Sequence, residues 1–254
     1  MRQLTRRQLL LRALAGLSAI SLSGCDNLSR SQRFTSVLAS AEGLNRRLHH
    51  LIALRQALAR EYSAADISPV FRANGTTSPF DREYLAHAQS HFAEWRLLVN
   101  GLVERPSALS LAELRQLPSR AQITRHDCVE GWSAIGKWQG AKLSALLDDV
   151  RPLAQARYVL FRCADPMDQS GEKYYESIDL EDAYHPQTIL AYELNDQPLP
   201  VQNGAPVRLR VERQLGYKHA KYIMQIELVE SFAHIGGGKG GYWEDQGYEW
   251  YAGI

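Results

Sequence analysis

Leu38, Leu44, Leu48, Leu51, Ile52 and Leu58 recur near helical spacing between Arg30 and Tyr62, with polar residues filling the positions between them. One apolar stripe on a polar cylinder predicts an amphipathic helix, either packed on the domain that follows or acting as a spacer. Asp66-Ile67-Ser68-Pro69 breaks it. Beyond that point the pattern shortens. Glu94 to Val99 reads as a strand ending at the turn dipeptide Asn100-Gly101. Ser110-Leu111-Ala112-Glu113 has the form of a capping box for a short helix through Leu117. Gln122 to Arg125, Arg157 to Arg162, Thr188 to Leu194 and Val207 to Val211 are strand-like, and Gly140 to Val150 is a short amphipathic segment. Lys221 to Val229 alternates Tyr222, Met224, Ile226 and Leu228. Helices fall between strands without a steady βαβ rhythm, which predicts a mixed α+β domain and excludes a doubly wound sheet.

The amino terminus follows a different logic. Arg6-Arg7 opens an apolar stretch from Leu9 to Leu22, and Leu22-Ser23-Gly24-Cys25 has the form of a lipobox. The run is too short for a comfortable membrane span of ~20 residues. It reads as a twin-arginine address on residues 1–24, removed before a lipidated Cys25. Residues 25–66 then form a tether and the amphipathic helix, and residues 67–254 the main domain. That places the chain on the periplasmic side of the cell envelope, lipid-anchored to a membrane. Without residues 1–24 the formal charge falls from +1 to −3, because Arg2, Arg6, Arg7 and Arg12 are lost. No basic excess for nucleic acid remains.

Only Cys128 and Cys163 are left as thiols in the main domain. In an oxidising compartment they could pair. Cys128 stands in His126-Asp127-Cys128-Val129-Glu130-Gly131-Trp132-Ser133, on a glycine-containing loop after a strand. A thiol there is a nucleophile, a metal ligand or an inert buried residue. His126, Cys128, Cys163 and His185 match no zinc spacing. The tail from His234 to Glu244 is glycine-rich and then aromatic-rich through Trp250 and Tyr251. Lacking a Gly-Lys-Ser/Thr pattern, it reads as a surface loop near the mouth of a site or against a redox partner, rather than a nucleotide loop.

The loop around Cys128 resembles the molybdenum-binding segment of the sulfite oxidase superfamily. Within it the resemblance is to the bacterial periplasmic branch that includes the catalytic subunit of the methionine-sulfoxide reductase system. Two further blocks, Asn203-Gly204-Ala205-Pro206-Val207-Arg208 and Leu215-Gly216-Tyr217-Lys218-His219-Ala220-Lys221, follow in the family's order. The resemblance implies the sulfite oxidase fold, preceded here by the N-terminal helix, and Mo-molybdopterin as cofactor. It implies Cys128 as the metal ligand and a catalytic residue. It also implies cofactor contacts from Phe71, Asn74, Cys163, Asn203, Arg208, His219, Ala220 and Lys221. Arg72 resembles the family's substrate-binding arginine, although Ala73 separates it from Asn74 and shifts the spacing. Cys163 replaces a threonine of the branch. Trp132 and Trp138 are expected as core or pocket wall, and Glu130 and His126 as possible proton carriers.

The expected activity is transfer of an oxygen atom, or of two electrons and protons, to a small molecule or an oxidised side chain of the methionine-sulfoxide type. A membrane haem protein or soluble cytochrome would be the redox partner, since no Cys-x-x-Cys-His motif is present. Two other readings stay open on sequence: a thiol enzyme using Cys128 with His126 or His219, and a lipoprotein binding module that keeps the fold without cofactor.

Overall fold

The structure, a computed structural model, describes residues 57–168 and 171–254 together with scattered positions between 31 and 44. The address segment, Cys25 and much of the leucine stripe lie outside the described residues. Residues 1–52 group as one unit and 53–254 as another. In the first, the described residues from 33 to 44 are helical. No helix of the described residues is long and apolar enough to cross a membrane.

The helix expected to continue to Tyr62 does not reach it. Residues 57–60 lie in no helix, and Glu61 bridges to Thr124. The physical reason is a competing partner for the backbone. The Gln187 carboxamide accepts from Ala59 N (2.7 Å) and donates to Ala59 O (3.1 Å), while Tyr62 N donates to Ile123 O (2.9 Å).

Two five-stranded sheets carry the main domain. The first joins β1 (Arg96–Gly101), β2 (Ser107–Ser110), β5 (Tyr158–Pro166), β6 (Lys173–Asp179) and β10 (Ile223–Val229) in the order β2-β1-β10-β5-β6. Only β1 and β10 run parallel within it. The second runs β3 (Ser119–Asp127), β4 (Ser133–Lys142), β7 (Ile189–Leu194) and β8 (Gln197–Pro198), with β9 (Arg208–Arg210) also paired to β7.

Five short helices fill the connections: α1 (Arg82–Gln89), α2 (Leu111–Gln116), α3 (Leu143–Val150), α4 (Leu180–Ala183) and α5 (Tyr242–Asp245). The expected capping box starts α2, with Ser110 and Glu113 bonding reciprocally. On α3 the positions Leu143, Leu146, Leu147 and Val150 fall on one face, and all four are buried in the main apolar core with Leu97, Val159 and Ile226. Each such side chain contributes about 1.5–3 kcal/mol by leaving water. That core fixes the first sheet as a platform. The β3–β4 hairpin and the loops after β5 and β9 project from the two sheets towards one cleft.

Candidate active site

The hairpin turn sets Cys128. β3 ends at Asp127, Cys128 N donates to Trp132 O (2.9 Å), and Gly131 N donates back to Cys128 O (3.0 Å). Gly131 takes φ +85°, a left-handed conformation that glycine adopts without strain. Ser133 Oγ donates to Asp127 Oδ1 at 2.5 Å, and Arg125 Nε also bonds Asp127. The turn is therefore held by bonds that do not involve the sulfur. Cys128 is half-buried on the wall of a cleft of about 730 Å³, a volume that includes its open mouth. Burial pushes its thiol pKa up, and Glu130 adds to this, while a backbone N–H and the Arg72 charge pull it down.

Opposite the turn lies the segment from Gly216 to Lys221. Gly216 passes so close to His126 that a Cβ there would lie 2.6 Å from Nε2. His219 Nε2 sits 3.0 Å from Gln214 O, so that nitrogen donates and Nδ1 is left as a bare buried acceptor. Burial, with the Arg210 guanidinium next, drives the His219 pKa well below the usual range and keeps the ring neutral. Lys221 Nζ donates to Asn74 O (2.6 Å), to Thr76 O and to Gln202 O (3.1 Å), tying residues 74–76 to the second block. Burial first, and Arg208 second, lower the Lys221 pKa to about 7.

Gly204 makes this packing feasible. Its φ is +111°, and a Cβ would lie 2.9 Å from Lys221 Cβ and 3.2 Å from Arg208 Cβ. Arg208 is fully buried, donates to Asn203 O (3.0 Å) and His219 O (3.4 Å), and lies over the Trp138 ring at 5.1 Å. Burial and the neighbouring Arg210 lower its pKa to about 9.

Beneath the site, β3 turns a polar face inward. Gln122, Thr124 and His126 are all buried. Gln122 bonds Glu212 at 2.9 Å, and Arg210 bonds Glu212, Thr124 and, at 3.0 Å, His126 Nδ1. An arginine can only donate, so His126 Nδ1 accepts and Nε2 carries the proton. Burial, then Arg210, places its pKa well below normal.

The sequence-predicted residues divide. Asn74, Cys128, His219 and Lys221 line the cleft together. Asn203, Arg208 and Ala220 are buried immediately behind it. Phe71, Arg72 and Cys163 are not among the residues that line the cleft. Phe71 is not on the cleft wall; it packs edge-on against Trp138 (4.9 Å) over Gly136, whose missing side chain admits its ring. Arg72 is exposed and lies over the Trp132 ring at 5.1 Å, because its neighbour Phe71 anchors in that small apolar cluster and turns it outward. Cys163 is buried in the main core on β5, and both cysteines are free. Sequence reasoning missed Asp165, Arg210, Glu212 and Lys218. The charge buried at these positions carries no local sequence signal.

One observation tests the fit of a large polar cofactor. Buried polar atoms are almost always hydrogen-bonded. Among the described residues, the buried polar atoms without a hydrogen-bond partner include Asn74 Oδ1, His126 Nε2, Asp165 Oδ1, Asn203 Nδ2, Arg208 Nε and His219 Nδ1 around the cleft, and others away from it such as Trp95 Nε1 and Ser107 Oγ. Those around the cleft mix donors with acceptors, as a pterin edge and phosphate require. Two buried cations and one half-exposed thiol complete the set. The site suits an anionic, multiply hydrogen-bonding group presenting a soft metal to a single sulfur.

An α+β scaffold with such a cradle is the architecture of a cofactor-binding redox domain. The oxidoreductase molybdopterin-binding domain model matches residues 84–234, and the chain belongs to that family. It is therefore an oxidoreductase whose cofactor is Mo-molybdopterin.

Over 161 residues the chain is 47% identical to a putative protein-methionine-sulfoxide reductase subunit YedZ1 of Azospira oryzae, covering 63% of this chain and 56% of that one. Over 145 residues it is 41% identical to the protein-methionine-sulfoxide reductase catalytic subunit MsrP of Xanthomonas axonopodis pv. citri, covering 54% and 45%. The chain spans about half the length of these relatives. The sulfane dehydrogenase SoxCD of Paracoccus pantotrophus aligns at a TM-score of 0.49 with 21% identity, over 54% of this chain and 39% of that one.

Proposed function

We propose that the chain reduces sulfoxides of the methionine type, taking electrons from a separate haem protein or cytochrome. The observation that carries this is the charge of the cleft. Among the ionisable groups on its wall, Lys221 stands alone against the carboxyls of Asp165 and Glu130, and His219 is neutral. With Lys221 and Arg208 engaged by the cofactor's own negative charge, an entering sulfite dianion would face the two carboxyls, whereas a neutral sulfoxide would not be opposed. The names of the two relatives support the same substrate class.

Bound Mo-molybdopterin would supply two-electron oxygen-atom chemistry, with Cys128 as the one protein ligand to the metal. Arg208 and Lys221 would meet the cofactor's negative charge. Asn74, Asn203 and His219 Nδ1 would satisfy its ring donors and acceptors, and the main chain around Ala220 would border it. The balanced reaction is one sulfoxide, two electrons and two protons giving one thioether and one water. Arg72 acts from outside the cleft, through its charge on Cys128.

Neither alternative finds support in the geometry. A thiol nucleophile needs a lowered pKa and an adjacent base. Cys128 is shifted upward, His126 Nδ1 is taken by Arg210, and burial makes the bare Nδ1 of His219 a weak base. A cofactor-free module would leave the buried polar atoms around the cleft unpaired, at a cost of about 1–3 kcal/mol each. The test is turnover by protein made in a host that supplies the cofactor. Reduced viologen is the donor for methionine sulfoxide, and ferricyanide is the acceptor for sulfite, in separate assays. Thioether formation without sulfite oxidation is expected; sulfite oxidation alone would reverse the assignment.

The same reading places the chain on the periplasmic side, exported by the twin-arginine route and anchored by lipid on Cys25. Replacing Arg6 and Arg7 by Lys should retain it in the cytoplasm, and continued export would refute that route.

A further inference from the structure

The cleft has a second wall that does not come from the cofactor blocks. Trp243 and Tyr248 line it, although they lie beyond residue 234, where the family match ends. Their rings are stacked, with centroids 5.3 Å apart and planes at 25°. Tyr217, from the third block, meets Tyr248 edge-on at 5.2 Å. Met167, after β5, also lines the cleft.

The tail holding these rings is latched. Glu244, next to Trp243, is buried and bonds Lys218 Nζ at 2.6 Å. Lys218, next to Tyr217, also bonds Glu176. Asp245 accepts from the Tyr175 hydroxyl, from Gly237 N (2.7 Å) and from Lys239 N (3.1 Å). Tyr248 N donates to Trp243 O (3.0 Å), and Trp250 Nε1 donates to Ser177 Oγ (2.9 Å). Each aromatic wall residue that flanks the ion pair is therefore placed by a buried charge rather than by loose loop packing.

We propose that Trp243 and Tyr248, with Tyr217, form the subsite that binds the methyl and methylene groups of a methionine-sulfoxide side chain and set specificity for it. Aromatic faces and edges attract sulfur and its polarised methyl groups, and they desolvate at little conformational cost. The wall adds no charge, in keeping with a neutral guest. Its residues bind the part of the substrate that does not react, so removing them should raise KM and leave kcat unchanged. This inference rests on the sulfoxide reading and extends it to the side chain recognised.

The experiment compares an N-acetylated, amidated methionine sulfoxide with trimethylamine N-oxide, using the cofactor-loaded protein and reduced viologen. For Trp243→Ala and Tyr248→Ala, KM for the sulfoxide should rise roughly 5- to 20-fold with kcat within about 2-fold. KM for the N-oxide should move by less than about 2-fold, because it is too small to span the wall. Trp243→Phe should recover most of the affinity, and molybdenum per chain should be unchanged throughout. Unchanged sulfoxide KM in both alanine variants would overturn the subsite. So would an equal KM rise for both substrates. Wild-type protein that reduces the N-oxide but no sulfoxide would instead overturn the sulfoxide reading on which it rests.

Discussion

Gly204→Ala offers a worked test of how tightly the second and third blocks are packed. Two costs add at this position. The backbone sits at φ +111°, where an L-residue is strained by about 1–2 kcal/mol. The new methyl would also lie 2.9 Å from Lys221 Cβ, 3.0 Å from its Cγ and 3.2 Å from Arg208 Cβ. Crowding of that kind typically costs a further 1–3 kcal/mol. Lys221 cannot simply swing aside, because its ammonium is tied to the carbonyls of Asn74, Thr76 and Gln202.

The control is Gly171→Ala, at φ +84° with nothing within 4 Å of the added atom, which carries the strain without the crowding. Thermal melts of the two variants should differ by that second cost. At roughly 2–4 °C per kcal/mol for a domain of this size, Gly204→Ala should melt about 2–12 °C below Gly171→Ala. It should also lose molybdenum while the control keeps it. Equal melting points with equal metal content would refute the packing argument.

Two other perturbations follow from the buried charges. Lys218→Met leaves Glu176 and Glu244 facing each other without their ammonium, which should cost about 3–5 kcal/mol at pH 8. Burial raises the Glu176 carboxyl pKa, so without the ammonium the carboxyl is neutralised more readily as pH falls; the loss should shrink towards pH 5, and equal urea midpoint shifts at both pH values would contradict this. Asp165 is raised from 3.8 to about 6, by burial first. The stability its protonation gives is complete below pH ~4 and is lost as pH rises through 6, a difference of up to about 3 kcal/mol. Cofactor-free Asp165→Asn should therefore gain stability at pH 8 and none at pH 4, as read by melting temperature; a gain that is the same at both would rule out the titration.

How much of this was legible in the sequence depends on what each residue packs against. β10 was readable because Tyr222, Met224, Ile226 and Leu228 alternate, and α2 because its capping box is a local signal. β4 was not, since its inward positions include Ala134, Gly136 and Gly140, residues of low strand propensity, and the two glycines make room for Phe71 and the β7 backbone. β6 was hidden for the opposite reason: Glu176 and Ser177 are buried, and a polar residue inside a core breaks the alternation.

The thiol and the cationic blocks could be placed from their motifs. The roles of Arg210, Glu212, Lys218 and Glu244 could not, because each is defined by a partner 2 to 84 residues away in the chain. Tertiary pairing, rather than local pattern, puts those charges inside. The tail was expected near the mouth of the site, and Trp243 and Tyr248 do line the cleft. Its latch to Lys218 needed the structure.

The central claim is that Cys128 holds the metal of the cofactor. Molybdenum per chain, measured on wild-type and Cys128→Ser protein from a host that makes molybdopterin, tests it most directly. The turn around Cys128 is held by backbone bonds and by Asp127, so the variant should fold and melt within a few degrees of wild type. About one molybdenum per wild-type chain and less than ~0.1 in the variant is the predicted result, since removal of the only thiolate removes the protein's bond to the metal. Molybdenum retained at the wild-type level in folded Cys128→Ser protein would contradict the account, as would a well-folded wild type that carries none.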